Sequence, residues 1–561
     1  MKILDRAQET VALRLATPIT ARQVLLISLL LGLLAAALFT RFWRLGTPGE
    51  FYFDETQVAT AARSVLDGNP GAWDFFGGPQ GVPHENTHPP LSKLFIAGGM
   101  AFFGADNPFG WRFFGALAGV GSVGFIYLLG KRLFGSEIAG MAAAFLMIFE
   151  GLSFAQARIA TPDAFLLFFI LGSIYFVVSD RFLFSGIFFG AALATKLVAL
   201  LTVFPIALYF LYRYWQTGQG KGSKVLYLAP LALLAFYQGT PVMFGSLLVD
   251  KVPPGVLVPD LSAPVFSAAL GLWMAFWALA PLAAYIVYRS LRSKAGHEEN
   301  ALAGSLAILP LFFVVVPLSI YLLTYVPMLF TGHGLGDVIL LNRDGYQFHA
   351  ANPVVAGPDA NHPYSSPWNT WPLMMRPVYL YSSGATIYSL GNPIIFWFGL
   401  PALGFAMWQG LSGVRAKLDE ATGGFSILGS VDREQAALLF VVLTYLGFLL
   451  PYAAQPRLTF IYHYLPSLSF LMLALAYVVH RWWQRLWGRI GAVVLLAAVA
   501  VTFVYFYPHL AAVSASGAWQ ESYFWLPNVV IRLVDGVIPI PELPDSFFWF
   551  DSCNPARWCW R

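Results

Sequence analysis

The chain has 561 residues, of which 58% are hydrophobic and only 11% charged, and its mean hydropathy is +0.65. A soluble globule carries roughly 25% charged residues, so a chain this poor in polar groups has lipid as much of its solvent. Its net charge of +4 is small and dispersed, which excludes nucleic acid as an expected partner.

Residues 1–22, MKILDRAQETVALRLATPITAR, are too long and too charged for a cleaved signal peptide, so the first span is expected to be retained. Apolar runs near the ~20 residues that cross a bilayer as helix then recur along the chain. They lie at about 22–44, 112–130, 137–154, 164–179, 182–196, 198–213, 225–241, 266–288, 304–329, 392–410, 435–453, 465–479 and 489–507, about thirteen in all. Basic residues fall at every second turn: Arg6, Arg14 and Arg22, then Lys131 and Arg132, Arg181, Arg213 with Lys221 and Lys224, Arg289 with Arg292 and Lys294, Arg415 and Lys417, and Arg481 with Arg485 and Arg489. The positive-inside rule puts these turns and the N-terminus in the cytoplasm.

The other side carries segments at about 45–111, 242–265 and 330–391 and the tail 508–561, where most of the Asp, His, Asn, Pro and Trp residues stand. Recognition and chemistry are therefore expected outside the cytoplasm. The expected fold is all-α and polytopic, with one multi-span module over 1–507 and a tail on the outer side. Cys553 and Cys559 lack zinc-finger spacing; outside, they would close a small disulfide loop or stay as two thiols.

In the first outer segment, FYFDETQVATAARSVLDG places Asp54 and Glu55 near the membrane interface. A carboxylate there can deprotonate an acceptor hydroxyl, or Asp54 can cap the helix that follows. Both readings stand. ENTHPPLSKLFIAGGMAFFG begins with the rigid turn His88-Pro89-Pro90 and continues as an apolar stretch too short to span, so it is expected to lie along the interface. Charges at outer span ends follow: Arg112, Arg158 with Asp163, and Lys196. A charge at membrane depth costs at least ~2.5 kcal/mol, so such residues are paired or functional. One reading is an Arg158–Asp163 ion pair and a snorkelling Lys196. The other has Arg112 and Lys196 converging on an anionic lipid headgroup, fork and point charge together suiting a phosphate.

These motifs together resemble the protein O-mannosyltransferases, a family of GT-C-type glycosyltransferases. FDET is similar to the family's acidic pair, HPPLSK to its HPPLGK, GWRFFGALAG to its Trp-Arg stretch, ARIATPDAFLLFF to its SRIxxLDxxLxxF, and ATK to its helix lysine. NHPYSSPWNTWPLMMRPVYLY, LGNPIIFW and FIYHYLPSLSF follow in the family's order. Pro162 replaces the family's leucine before Asp163, and no insertion is long enough for the β-trefoil of the larger eukaryotic members, so the chain resembles the shorter bacterial form. The resemblance implies a plasma-membrane GT-C enzyme that moves mannose from a polyprenyl-phosphate donor to Ser or Thr of exported proteins, inverting the anomeric centre without a metal or cofactor. It implies Asp54 as general base, with Glu55 beside it. Arg112, Lys196 and Arg158 would meet the donor phosphate, and His88, Asp163, His362, Trp371, Arg376 and His463 would line the pocket. The rival readings are a same-fold transferase with a lipid or glycan acceptor, as in the aminoarabinose transferases, and a transporter of lipid-linked sugar. The transporter needs polar residues near mid-span in repeated halves, whereas here they gather at one face.

Overall fold

The computed structural model describes residues 20–75, 85–217, 311–351, 362–420, 431–455 and 457–523. The expected spans at 225–241 and 266–288, the outer segment 242–265, and the tail beyond residue 523 with Cys553 and Cys559 lie outside the described residues.

Helices dominate. Helix α1 (Ala21–Phe42) is followed by two short outer helices, α2 (Glu55–Leu66) and α3 (Leu91–Phe103). Then come α4 (Pro108–Phe134), α5 (Glu137–Ile148), α6 (Gly151–Ala157), α7 (Pro162–Val178), α8 (Phe182–Leu193) and α9 (Val203–Thr217). The chain continues through α10 (Val316–Leu323), α11 (Val326–Phe330) and α12 (Leu335–Ala351). An antiparallel hairpin, β1 (Val378–Ser382) and β2 (Thr386–Ser389), precedes α13 (Pro393–Glu420), α14 (Arg433–Leu449), α15 (Leu465–Trp483), α16 (Leu486–Leu510) and α17 (Gly517–Ser522). Among the described residues seven helices are long and apolar enough to cross a bilayer, and α5 with α6 forms one more candidate bent by 64°. Each expected span is helical over its described part, although 164–179, 182–196 and 198–213 are short apolar helices rather than full-length ones. The expected interfacial helix is α3. Helix α12 and the hairpin stand where only a loop was expected.

Burial orders the bundle. Helix α15 is buried almost throughout, whereas α1 and α16 expose leucines and valines such as Leu31 and Val501, as lipid-facing helices do. Small residues let helices approach closely: a Cβ on Gly119 of α4 would stand 2.5 Å from the Ala157 Cβ of α6, and one on Gly186 of α8 would stand 2.0 Å from the Phe312 carbonyl.

The break between α5 and α6 leaves backbone groups without helical partners at membrane depth, where each must be satisfied by protein. Arg41 donates to the Ile148 carbonyl at 2.9 Å and the Met147 carbonyl at 2.7 Å. Glu150 caps α6 by accepting from Leu152 and Ser153 N–H. Asn392 of the LGNP motif caps α13 and donates to the carbonyls of Phe149 and Val499, tying the break to α16. That is the physical use of the Asn-Pro pair.

The expected turns also sort spatially. Arg132 and Arg213 both meet Asp180, Arg433 donates to the Arg132 carbonyl, and Arg481 pairs with Glu434 at 3.6 Å, all at one end of the bundle. Asp54, His88, Asp163, Lys196 and His463 gather at the other.

Candidate active site

Consecutive acids in the first outer segment have different surroundings. Glu55 is fully buried and takes a fork from Arg112, Nε to Oε1 at 2.7 Å and Nη2 to Oε2 at 2.8 Å. Its Oε1 also accepts from Ala160 N–H at 2.9 Å. The remaining Arg112 donors go to the carbonyls of Leu45, Pro48 and Glu50. Glu55 and Arg112 thus join the segment after α1, helix α4 and the turn before α7.

Asp54 has none of this. Its carboxylate makes no hydrogen bond among the described residues, and it does not cap α2. Phe53 before it stands in the left-handed region at φ 49°, a costly conformation for a bulky residue that tends to persist where function holds it. Burial, then the Asp163 carboxylate, pushes the Asp54 carboxyl up to about 7, with Lys196 opposing the rise and Glu85 adding to it. A partly buried carboxylate with free lone pairs and a pKa near neutrality suits a general base.

Asp163 and Lys196 form an ion pair at 3.0 Å, both more than nine-tenths buried. Pro162 before Asp163 takes the first helical position of α7, where its missing N–H and fixed φ cost nothing, so this departure from the family pattern leaves the local backbone helical. The Lys196 Nζ also lies 5.7 Å from the Tyr462 ring centroid. Asp163, Tyr452, Tyr462 and His463 line a small cleft here with Leu166, Val198 and Pro466.

The His88 turn is braced from below. Lys93 donates to the Glu85 carbonyl at 2.5 Å and to the Asn86 side chain at 3.0 Å, and Leu91 N–H donates to the Ala194 carbonyl, bringing the turn beside Lys196. The His88 ring stacks on His349 of α12 at 5.0 Å. Arg457 donates to His349 Nδ1, and its Nε is buried without a partner among the described residues. The segments 362–376 and 457–465 hold each other through Ser366 N–H to the Thr459 carbonyl at 2.8 Å. Trp371 is buried, donates to Ser366, and stacks on His463 at 6.1 Å, while Arg376 reaches the Pro363 carbonyl and the His362 ring packs on Phe460. These residues build the wall behind the cleft.

Three expectations need correction. Arg158 and Asp163 form no ion pair: Arg158 donates to the carbonyls of Thr40, Arg41, Trp43 and Arg44, closing the C-terminal end of α1, where carbonyls lack helical partners. Lys196 does not snorkel, because Asp163 supplies its counter-charge in the interior. Arg112 and Arg158 do not converge with Lys196 on open space, since each guanidinium is occupied by protein oxygens. An arginine that sequence reasoning passed over is Arg457, whose charge acts on His349 together with that of Lys196 and which has Asp163 as an electrostatic neighbour; its signal was a lone cation just beyond the outer end of the span at 435–453.

A family model described as dolichyl-phosphate-mannose-protein mannosyltransferase matches residues 87–240, and one for the C-terminal four-transmembrane region of protein O-mannosyltransferase matches 336–528. The chain is 26% identical over 535 residues to the polyprenol-phosphate-mannose--protein mannosyltransferase of Mycobacterium tuberculosis, with 88% of this chain and 90% of the relative covered. It is 24% identical to the protein of that name from Corynebacterium glutamicum, covering 88% and 91%. Among solved structures it is similar to the Saccharomyces cerevisiae protein O-mannosyltransferase Pmt1-Pmt2 complex bound to the sugar donor, with a TM-score of 0.60, 15% identity, and 91% and 93% of the two chains covered. The matched regions take in both the His88 and Lys196 side of the cleft and the wall built from 362–376 and 457–465, and on these grounds the chain belongs to the protein O-mannosyltransferase family.

Proposed function

We propose that this multi-pass membrane protein transfers mannose from polyprenyl-phosphate-mannose to Ser or Thr hydroxyls of exported proteins. In this reading the site faces outward across the plasma membrane, with the N-terminus in the cytoplasm. The observation that carries the mechanism is the contrast between the unbonded Asp54 carboxylate and the occupied Glu55 beside it. Asp54 takes the proton of the acceptor hydroxyl as its oxygen attacks the anomeric carbon. The bond from that carbon to the phosphate oxygen breaks from the opposite face, inverting the centre, and the polyprenyl phosphate leaves as an anion. Lys196 and Arg457 are the cations placed to stabilise that charge, worth more in a dry cleft than in water. No metal or cofactor is required by this scheme.

Glu55, Arg112 and Arg158 hold the scaffold, with His88, Asp163, His362, Trp371, Arg376 and His463 shaping the cleft. The domain reading remains one catalytic module over 1–507 and a short outer tail. Purified protein given radiolabelled polyprenyl-phosphate-mannose should label a Ser/Thr peptide and leave a glycolipid acceptor unlabelled. The reverse pattern would favour the same-fold lipid-modifying transferase.

A further inference from the structure

Helix α12 brings a histidine into the site from the outer segment at 330–391, ahead of the stretch 362–376 that walls the cleft. It packs closely on the His88 turn: a Cβ at Gly345 would stand 3.3 Å from the Thr87 carbonyl oxygen. One turn further on, His349 uses both ring nitrogens. Its Nε2 lies 3.1 Å from the Thr87 carbonyl, and its Nδ1 faces the Arg457 guanidinium. A carbonyl only accepts and a guanidinium only donates, so the ring is neutral, with its proton on Nε2 and its lone pair on Nδ1 turned to Arg457. Burial first, then the Arg457 and Lys196 charges, push the His349 imidazolium down to about 3, which agrees with a neutral ring.

We propose that His349 is the positioning residue for Arg457, its Nδ1 lone pair aiming the guanidinium at the phosphate of the lipid donor. This rests on the assignment of Lys196 and Arg457 to that phosphate. With Nε of Arg457 buried and unpartnered, the contact to His349 is the one hydrogen bond its guanidinium makes among the described residues. Asp163, Tyr452 and Tyr462 surround it as electrostatic neighbours. A flexible arginine fixed at one corner depends on that corner for its direction, and small displacements of a charged ligand are costly.

The test uses full-length protein in nanodiscs, titrated with a short-chain polyprenyl phosphate and assayed with donor and peptide. In His349→Gln the amide replaces Nε2, keeping the Thr87 bond but removing the acceptor that Arg457 uses. It should weaken polyprenyl phosphate binding and raise donor KM roughly ten-fold, with peptide KM and kcat little changed. His349→Asn puts an oxygen near the place of Nδ1 and should bind close to wild type. In an Arg457→Ala background, His349→Gln should add nothing. Wild-type lipid binding in His349→Gln, or a full additional loss on top of Arg457→Ala, would overturn the positioning role while leaving the phosphate site intact. Wild-type lipid binding in Arg457→Ala would sink the phosphate assignment and this inference with it.

Discussion

Asp54 and Glu55 are neighbours in sequence, carry the same charge, and sit in opposite electrostatic situations. Glu55 accepts a two-pronged bond from Arg112 and a third from Ala160 N–H, so its charge is neutralised and its lone pairs are used. Asp54 feels the Asp163 carboxylate, with Lys196 as partial compensation, and its side chain makes no hydrogen bond among the described residues. The difference teaches that one short motif supplies both a reactive group and the device that locates it. A carboxylate spent on structure is unavailable for proton transfer, while one left unbonded in a partly dry site is destabilised toward taking a proton.

The largest expected effect comes from breaking the occupied half. Arg112→Ala leaves the Glu55 charge buried without its counter-charge and frees three carbonyls, which should cost about 3–5 kcal/mol. Thermal unfolding in detergent should show a large fall in Tm, and little folded protein should accumulate. Arg112→Lys keeps the charge but loses the fork, so it should recover only part of the loss. A normal Tm in Arg112→Ala together with a raised donor KM would return Arg112 to the phosphate.

Much of the plan was legible in the sequence because lipid imposes simple rules. Apolar length and alternating basic turns located the helices and sorted the two ends, and α3 was recognisable as too short to span. What escaped follows from contacts between distant segments. Nothing local distinguishes Arg112 from Lys196, as both stand near outer helix ends; their partners, Glu55 and Asp163, are chosen by packing. Arg158 lies five residues from Asp163 and invites pairing, yet the broken end of α1 offers it four carbonyls instead. Helix α12 was hidden because LGDVILLNRDGYQFHAA mixes charges with apolar residues and shows no span-length run. Arg457 stood outside the motif quoted for its region.

A smaller effect should appear in the pH dependence. Transfer requires ionised Asp54, so kcat/KM should fall as pH drops through about 7. Asp163 raises this carboxyl and Lys196 lowers it. Asp163→Asn should therefore move the acidic limb to lower pH in whatever activity remains, and Lys196→Gln should move it higher. The same raised pKa makes folding disfavour the charged form, so this group's contribution to stability is present below about pH 4 and lost as pH rises through about 7. A limb unmoved by both substitutions would detach it from Asp54.

The division of labour is tested most directly by single-turnover transfer in Asp54→Asn, with thermal unfolding and polyprenyl phosphate binding measured on the same preparation. An amide keeps the shape of the carboxylate and removes its basicity. The predicted result is wild-type Tm, near wild-type lipid binding, and transfer slowed by about 10²–10⁴-fold. Transfer at the wild-type rate, or a collapse of Tm like that of Arg112→Ala, would contradict it, the first by moving the base elsewhere and the second by making Asp54 part of the scaffold.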